Sequence, residues 1–373
     1  MEDIKTQVAM LATGNEIKNG DILNTNSQVI AQKILSKGIH PGTHITTSDN
    51  VTEIESAIKY LLSHHKAIII TGGLGPTSDD LTRNALAKVL NKKLVFNEEI
   101  WNNLVKLLQS LGYKELPESN KQQAYFPEGA EVIPNPNGTA AGCYIEYNDS
   151  QIFMLPGPPR ECLPMVDSKI IDVLLNKNFQ KDVFVEKWLL FGVSEGHMSG
   201  TLDAIAKPFE CSTGYRLWYP YLEFKIYSKN AEEFANLKKE INQLVKEHIV
   251  EDGKTPASDL LKKAITNCSH NFSFDDKATG GLLQSTIETP NTCSKLNFNK
   301  ENGKDIHIEV LGLQEFWDNI IDNFTHIDIN IFTGNKKFEF SKKIPYRGMR
   351  VKLYAVELTS KIIYEKLKEL DVF

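Results

Sequence analysis

TGGLGPTSDD, residues 71–80, is the stretch that decides how this chain folds. Ala67 to Ile70 ahead of it is an apolar, β-branched run, and behind it Leu81, Ala85, Leu86 and Val89 recur at helical spacing. Strand, glycine turn and helix in that order make a βα unit whose turn can hold an anion. Gly72, Gly73 and Gly75 lack the Cβ atoms that would keep a phosphate off the backbone, and the first N–H groups of the next helix have no partner within it. Asp79 and Asp80 set two carboxylates beside that space, which suits a phosphate bridged by a divalent cation better than a bare one. The same residues also fit an ordinary tight turn, with Thr77 and Asp80 as a T-x-x-D capping box and the acids complementing the helix dipole.

At 373 residues the chain exceeds one ordinary core and points to two or three domains. Hydrophobic content of 41% and charged content of 24% are those of a globular protein, and a net charge of −6 weighs against a broad nucleic-acid surface. The five cysteines are scattered and never form C-x-x-C, as expected of reduced thiols in the cytoplasm. No basic-apolar leader precedes the strand at Val8, and no apolar run approaches the ~20 residues that span a bilayer, so no membrane partner is expected.

Outward from the glycine turn the same alternation repeats. Val8 to Thr13 reads as a strand running into Gly14-Asn15-Glu16, followed by Asn24-Thr25-Asn26, a helix over 27–36 ended by Gly38, and a strand near His40 to Thr47. Thr52 and Glu55 form a T-x-x-E capping box before a helix with Ile54, Ile58, Leu61 and Leu62 on one face. Two βαβ units in succession predict a doubly wound, mainly parallel sheet with ligands at the carboxyl ends of its strands. Downstream, 98–111 is an amphipathic helix, and apolar segments flanking Asn148-Asp149-Ser150 form a hairpin. Leu155-Pro-Gly-Pro-Pro-Arg-Glu161 is expected to be a rigid, non-helical loop with Arg160 as its anion contact.

Taken together, TGNEI, NTN, TGGLGPTSDD, FPEGA with NPNGTAAG, and LPGPPREC followed by Met165 resemble the CinA family, whose N-terminal domain is similar to the molybdopterin-binding fold. The motifs span about Val8 to Met165. The resemblance implies a divalent-metal-dependent ADP-ribose pyrophosphatase (Mg²⁺, Co²⁺ or Mn²⁺) acting on a small-molecule nucleotide, in a protein expected to be a homodimer. It makes Asp79 and Asp80 the catalytic and metal-holding pair, with Glu16 as a further metal ligand. It carries Asn24, Thr25, Asn26, Thr71, Gly72, Gly73, Gly75 and Thr77 over as nucleotide or phosphate contacts, together with Gly138, Thr139, Gly157 and Arg160. Where many family members have Gly-Asp-Glu this chain has Gly14-Asn15-Glu16, so one carboxylate is missing.

The expected organisation is 1–168 as this hydrolase domain, 169–252 as a small α+β module similar to KH-type modules, and 253–373 as a shortened α/β domain. The middle module has no G-x-x-G loop with basic flanks, which favours a spacer or dimer element over RNA binding. Relatives in the family end in a nicotinamide-mononucleotide deamidase domain with an ESCTGG signature. This chain has Asp276-Lys277-Ala278-Thr279-Gly280-Gly281, so lysine stands where the nucleophilic serine belongs, and Thr333-Gly334-Asn335 keeps only the start of the family's TGIAGP loop. An inactive C-terminal domain is expected, against the alternative of a hydrolase rebuilt around Lys277 and Thr279. For the whole protein the alternative is a regulator that binds a nucleotide or molybdopterin without chemistry.

Overall fold

The computed structural model describes residues 7–113, 117–180, 183–298, 305–320, 323–345 and 348–373. The chain divides into two compact units, Met1–Asp182 and Val183–Phe373. The first runs in the order β1 (Val8–Thr13), α1 (Asn15–Lys18), α2 (Thr25–Leu35), β2 (Pro41–Thr47), α3 (Val51–His64), β3 (Ala67–Thr71) and α4 (Thr82–Val89). It continues through β4 (Leu94–Phe96), α5 (Glu98–Ser110), β5 (Tyr125–Pro127), β6 (Glu131–Ile133), β7 (Gly142–Tyr147), β8 (Ser150–Leu155), α6 (Pro159–Met165) and α7 (Ile171–Asn176).

Its main sheet has the order β2-β1-β3-β8-β7-β6, with β2, β1, β3 and β8 parallel and β7 and β6 antiparallel. This is the doubly wound, mainly parallel α/β architecture expected from the two βαβ units. Strands buried on both faces become continuous apolar runs. Ala9, Leu11, Ile68 and Ile70 pack with Ile54, Ile58 and Leu61 of α3, while Val8, Met10 and Ile69 pack with Ile30 and Ile34 of α2 and Met165 of α6. From β1 the chain crosses to β2 on one side, then returns past β1 to β3 on the other. The crevice beyond the carboxyl ends of β1 and β3 is therefore the topological switch point. At the hairpin, Asn148 (φ 46°) and Asp149 (φ 63°) supply the left-handed pair of a two-residue turn between the paired Tyr147 and Ser150.

Two local expectations are corrected. Thr52 and Glu55 do not cap α3, because Asn50 accepts from the amides of Thr52 (2.9 Å) and Glu53 (3.2 Å), while Glu55 is buried against Lys88 at 2.6 Å. An asparagine at the cap satisfies the free amides, which leaves Glu55 to the inward face. Nor is the proline loop wholly non-helical. Pro159 opens α6, a position where the missing N–H costs nothing, and Pro164 further along coincides with a change to π-helical geometry over Val166–Ile170 that runs on into α7. The first unit thus continues past residue 168.

The second unit holds β9 (Phe184–Phe191), α8 (Glu195–Ala206), β10 (Cys211–Trp218), β11 (Tyr221–Ser228) and α9 (Ala231–Val245), an antiparallel sheet of order β10-β11-β9 backed by both helices. It goes on through α10 (Ala257–Asn267), β12 (Phe272–Asp276), α11 (Leu282–Ile287), β13 (Leu296–Phe298), β14 (Ile306–Gly312), α12 (Gln314–Trp317), β15 (Phe324–Thr333), β16 (Lys336–Pro345) and α13 (Arg350–Glu369). The order there is β13-β12-β14-β15-β16, parallel through β14 and antiparallel beyond it. Glu357 of α13 joins the two layers, accepting from Tyr221 Oη (2.7 Å) and Ser258 Oγ (2.6 Å).

Candidate functional site

At the switch point of the first sheet lies a cavity of about 650 Å³. Thr13 and Thr71, the last residues of β1 and β3, form its floor, and the turn after β8 supplies Pro156 and Gly157. Asn24, Thr25, Asn26, Gly72, Gly73, Gly75, Thr77, Thr139, Asp79, Asp80 and Glu16 all line it. Gly138 and Arg160 do not. Glu161 lies over Gly138, where a Cβ would meet its Oε2 at 2.1 Å, and the Arg160 side chain is 81% exposed and pairs with Glu161 at 3.8 Å. Arg160, the second residue of α6, turns its side chain to solvent and is not among the residues that line the cavity.

The glycines act differently from the simple phosphate picture. Gly72 (φ 103°) and Gly73 (φ 65°) occupy the left-handed region, and a Cβ there would strike Thr13 O at 2.3 Å and Thr82 Oγ1 at 2.1 Å. They are required by the close approach of β1 and α4 to the turn, and both also line the cavity. Arg83, 2% exposed, holds the turn by donating to Leu74 O (2.8 Å) and Gly75 O (2.9 Å), and burial brings its guanidinium down to about 10. Gln122 of the Glu118–Ala124 segment adds bonds to Gly75 O (3.0 Å) and Thr77 O (2.7 Å). The turn is rigid by construction.

Asp80 accepts from the amide (2.9 Å) and hydroxyl (2.5 Å) of Thr77, so the acid-to-backbone half of the expected capping box exists. It does not cap α4, which starts at Thr82 after Leu81 with no side-chain cap. The bonds close the turn and fix the Asp80 carboxylate. The Thr77 side chain and its own backbone amide keep the exposed Asp79 below the usual carboxylate range. Asp49, which lines the same cavity, is raised, first by burial and then by the charges of Glu16, Asp79 and Asp80, against the Asn15 amide that donates to it at 2.9 Å. Four acids line this end of the cavity, three of them near enough to act on Asp49, which makes it a place for positive charge.

Among the described residues no three His, Cys, Asp or Glu side chains converge as a ready-made metal cage. The donor set fits a hard cation that keeps waters and shares one or two carboxylates with substrate phosphates, the habit of Mg²⁺. The carboxylate missing at Asn15 has a neighbour in Asp49, whose amide donates to Asn15 Oδ1 at 3.3 Å.

In the second unit the DKATGG loop has a different character. Lys277 pairs with Asp275 at 2.7 Å, which raises its amine further above the usual lysine range and leaves it a poor nucleophile. Thr279 is fully buried, donates to Asp276 and accepts from the Leu283 amide at 3.0 Å, so its hydroxyl belongs to the loop. Thr333-Gly334-Asn335 is the tight turn of the β15–β16 hairpin, Gly334 having φ 56°.

Residues 9–176, almost the whole first unit, match the family described as a probable molybdopterin binding domain. A competence-damage inducible protein of Clostridium acetobutylicum is 33% identical over 293 residues, covering 75% of this chain and 70% of that one. The chain belongs to the CinA family. A CinA-like protein of Shewanella woodyi is 30% identical over 286 residues, covering 75% of this chain and 67% of that one. The solved CinA structure from Thermoplasma acidophilum is 27% identical, covers 46% of this chain and 99% of that chain, and has a TM-score of 0.42. Among the described residues no helix is long and apolar enough to cross a membrane.

For this CinA-family chain, sequence reading missed Asp49, Glu161, Gln122 and Gln123. Asp49 carries a legible signal, a carboxylate immediately after the predicted second strand, on the same sheet edge as the other loops. The two glutamines sit in a short 3₁₀ segment, Glu118–Ala124, with no distinctive spacing. Only the fold brings them to the glycine turn.

Proposed function

We propose that the first unit hydrolyses the diphosphate of ADP-ribose, giving AMP and ribose 5-phosphate, with a divalent metal ion as cofactor. The observation that carries this reading is the meeting of Glu16, Asp49, Asp79 and Asp80 in one cavity at the β1/β3 switch point, beside a turn stiffened by Arg83 and Gln122. One or two of Asp79, Asp80 and Glu16 would hold the ion directly, and its contribution would be Lewis-acid neutralisation of the diphosphate charge. The rigid turn fixes the diphosphate so that water meets phosphorus in line, while the bridging oxygen leaves with the other phosphate. Thr77 holds Asp80 in place throughout, so no reorganisation is needed as charge develops. Exposed Ile22 and Leu23 at the mouth offer an apolar ledge for a base.

In the second unit the spent Thr279 hydroxyl and paired Lys277 support an inactive deamidase-like domain. The match of residues 9–176 to a molybdopterin-binding family favours one other reading, a protein that holds a pterin or nucleotide without chemistry. Incubation with ADP-ribose and Mg²⁺, Co²⁺ or Mn²⁺, with AMP followed by chromatography, separates the two. Equal amounts of AMP and ribose 5-phosphate are expected. Binding without AMP in all three metals would favour the regulator.

A further inference from the structure

Two amide side chains at the cavity are left incomplete. Asn26 is 7% exposed and its Nδ2 donates to Gly157 O at 2.6 Å. A carbonyl can only accept, so this bond fixes which way the amide faces, and Asn26 Oδ1 is left buried without a partner. Gln123 is 1% exposed, donates from Nε2 to Thr139 Oγ1 at 3.3 Å, and leaves Oε1 equally buried and unpartnered. Of the buried side-chain atoms without partners among the described residues, those of Asn26 and Gln123 are the ones that line this cavity. Buried acceptors left unpaired are costly, and a native one calls for a partner such as a ligand or an ordered water.

We propose that Asn26 and Gln123 form a sugar-reading subsite that accepts hydrogen bonds from the ribose hydroxyls of the nucleotide. The proposal rests on the nucleotide reading of the cavity given above. An ionised phosphate has no hydrogen to donate, so Asn26 Oδ1 is not a phosphate contact, which revises the role that the family motif suggests for it. The ribose of a nucleotide presents two adjacent hydroxyls, each a donor, and here two unpartnered acceptors belong to residues that line one cavity. The acids on the glycine-turn side are left for the metal and diphosphate. The subsite joins residues from α2 and from the Glu118–Ala124 segment, so it exists only in the folded chain.

Calorimetry of the full-length protein in Mg²⁺ tests this with three probes: AMP, its 2′,3′-dideoxy form, and inorganic pyrophosphate. AMP is expected to bind about tenfold or more tightly than the dideoxy nucleotide, the usual discrimination of a site built to pair hydroxyls. Gln123→Met and Asn26→Ser should each bring that ratio close to one while pyrophosphate affinity stays within about twofold. Gln123→Glu keeps an acceptor and should keep the ratio, and thermal melts of all three establish that they fold. A ratio near one in the parent protein, a ratio that survives both Gln123→Met and Asn26→Ser, or an equal loss of pyrophosphate binding would overturn the subsite. Absence of AMP release from ADP-ribose with the ratio intact would overturn the hydrolase reading alone.

Discussion

The chain contains two strand–glycine turn–helix corners built from nearly the same chemistry. In the first unit β3 leads through Gly72 and Gly73, both at positive φ, to α4. In the second β12 leads through Gly280 (φ 65°) and Gly281 (φ 84°) to α11. Each corner has a threonine hydroxyl bonded to an aspartate three positions away, Thr77 to Asp80 and Thr279 to Asp276. They differ in what stands opposite. Across from the first corner is the cavity, and Asp79 faces it. Over the second lies Trp317, whose ring would be 2.6 Å from a Cβ on Gly280 and whose Nε1 donates to Ala278 O at 2.8 Å. Asp276 accepts from the amides of Ala278 (3.1 Å) and Thr279 (2.9 Å) as well as the hydroxyl. A corner becomes a site only if the packing around it leaves space and unsatisfied charge.

The most demanding test of that contrast is hydrolysis. Asp79→Asn and Asp80→Asn should lower kcat for AMP release by about 100-fold or more, since a cation that neutralises developing charge acts mainly in the transition state. Parental rates in both variants would break the assignment of the first corner. Stability should separate the corners next. Gly73→Val combines a strained left-handed φ with the Thr82 clash and should cost about 3 kcal/mol or more in urea melts, whereas Gly281→Ala, with nothing within 4 Å of its Cβ position, should cost only about 1 kcal/mol. Equal costs would mean that the first turn is less constrained than its contacts imply.

Opening the second corner should not create an activity. Trp317→Ala combined with Lys277→Ser is expected to lose about 1–3 kcal/mol in the same melts, given that Trp317 is 43% exposed, and to release no ammonia from nicotinamide mononucleotide above background. Ammonia release that Thr279→Ala abolishes would show that the domain kept its chemistry. The smallest effect is electrostatic. Glu53, bonded to Lys18 of α1 and to Ser48, is held at about 2 against an ordinary 4.5, so its contribution is present above pH 4.5 and lost as pH falls from there toward 2. Lys277, raised by Asp275, contributes stability below its ordinary 10.5 that fades only as pH rises beyond it. Lys18→Met should flatten the acid limb of the stability profile, and Lys277→Met the alkaline one.

The sequence determined the architecture of the first unit. Apolar β-branched runs such as Ala67–Ile70, alternating with helical periods, fit strands buried on both faces of a parallel sheet, and glycines between strand and helix periods mark where the turns fall. Those signals are local, so β3, α4 and the glycine-turn wall of the cavity were legible in the sequence, whereas about half of the lining, Asp49, Gln123 and Glu161 among it, was not. Spacing alone could not show which polar atoms would be satisfied. Asn50 displaced Thr52 as a cap through a local competition for the same free amides, Arg160 turned outward at the start of its helix, and Glu55 turned inward to Lys88, a neighbour 33 positions on. Asp49 reaches Asn15 across 34 positions and Gln122 reaches Gly75 across 47, pairings that exist only once crossovers set the strand order. The same physics decided between the two corners: sequence supplied glycine, threonine and aspartate to both, and tertiary packing put open space opposite one and an indole ring against the other.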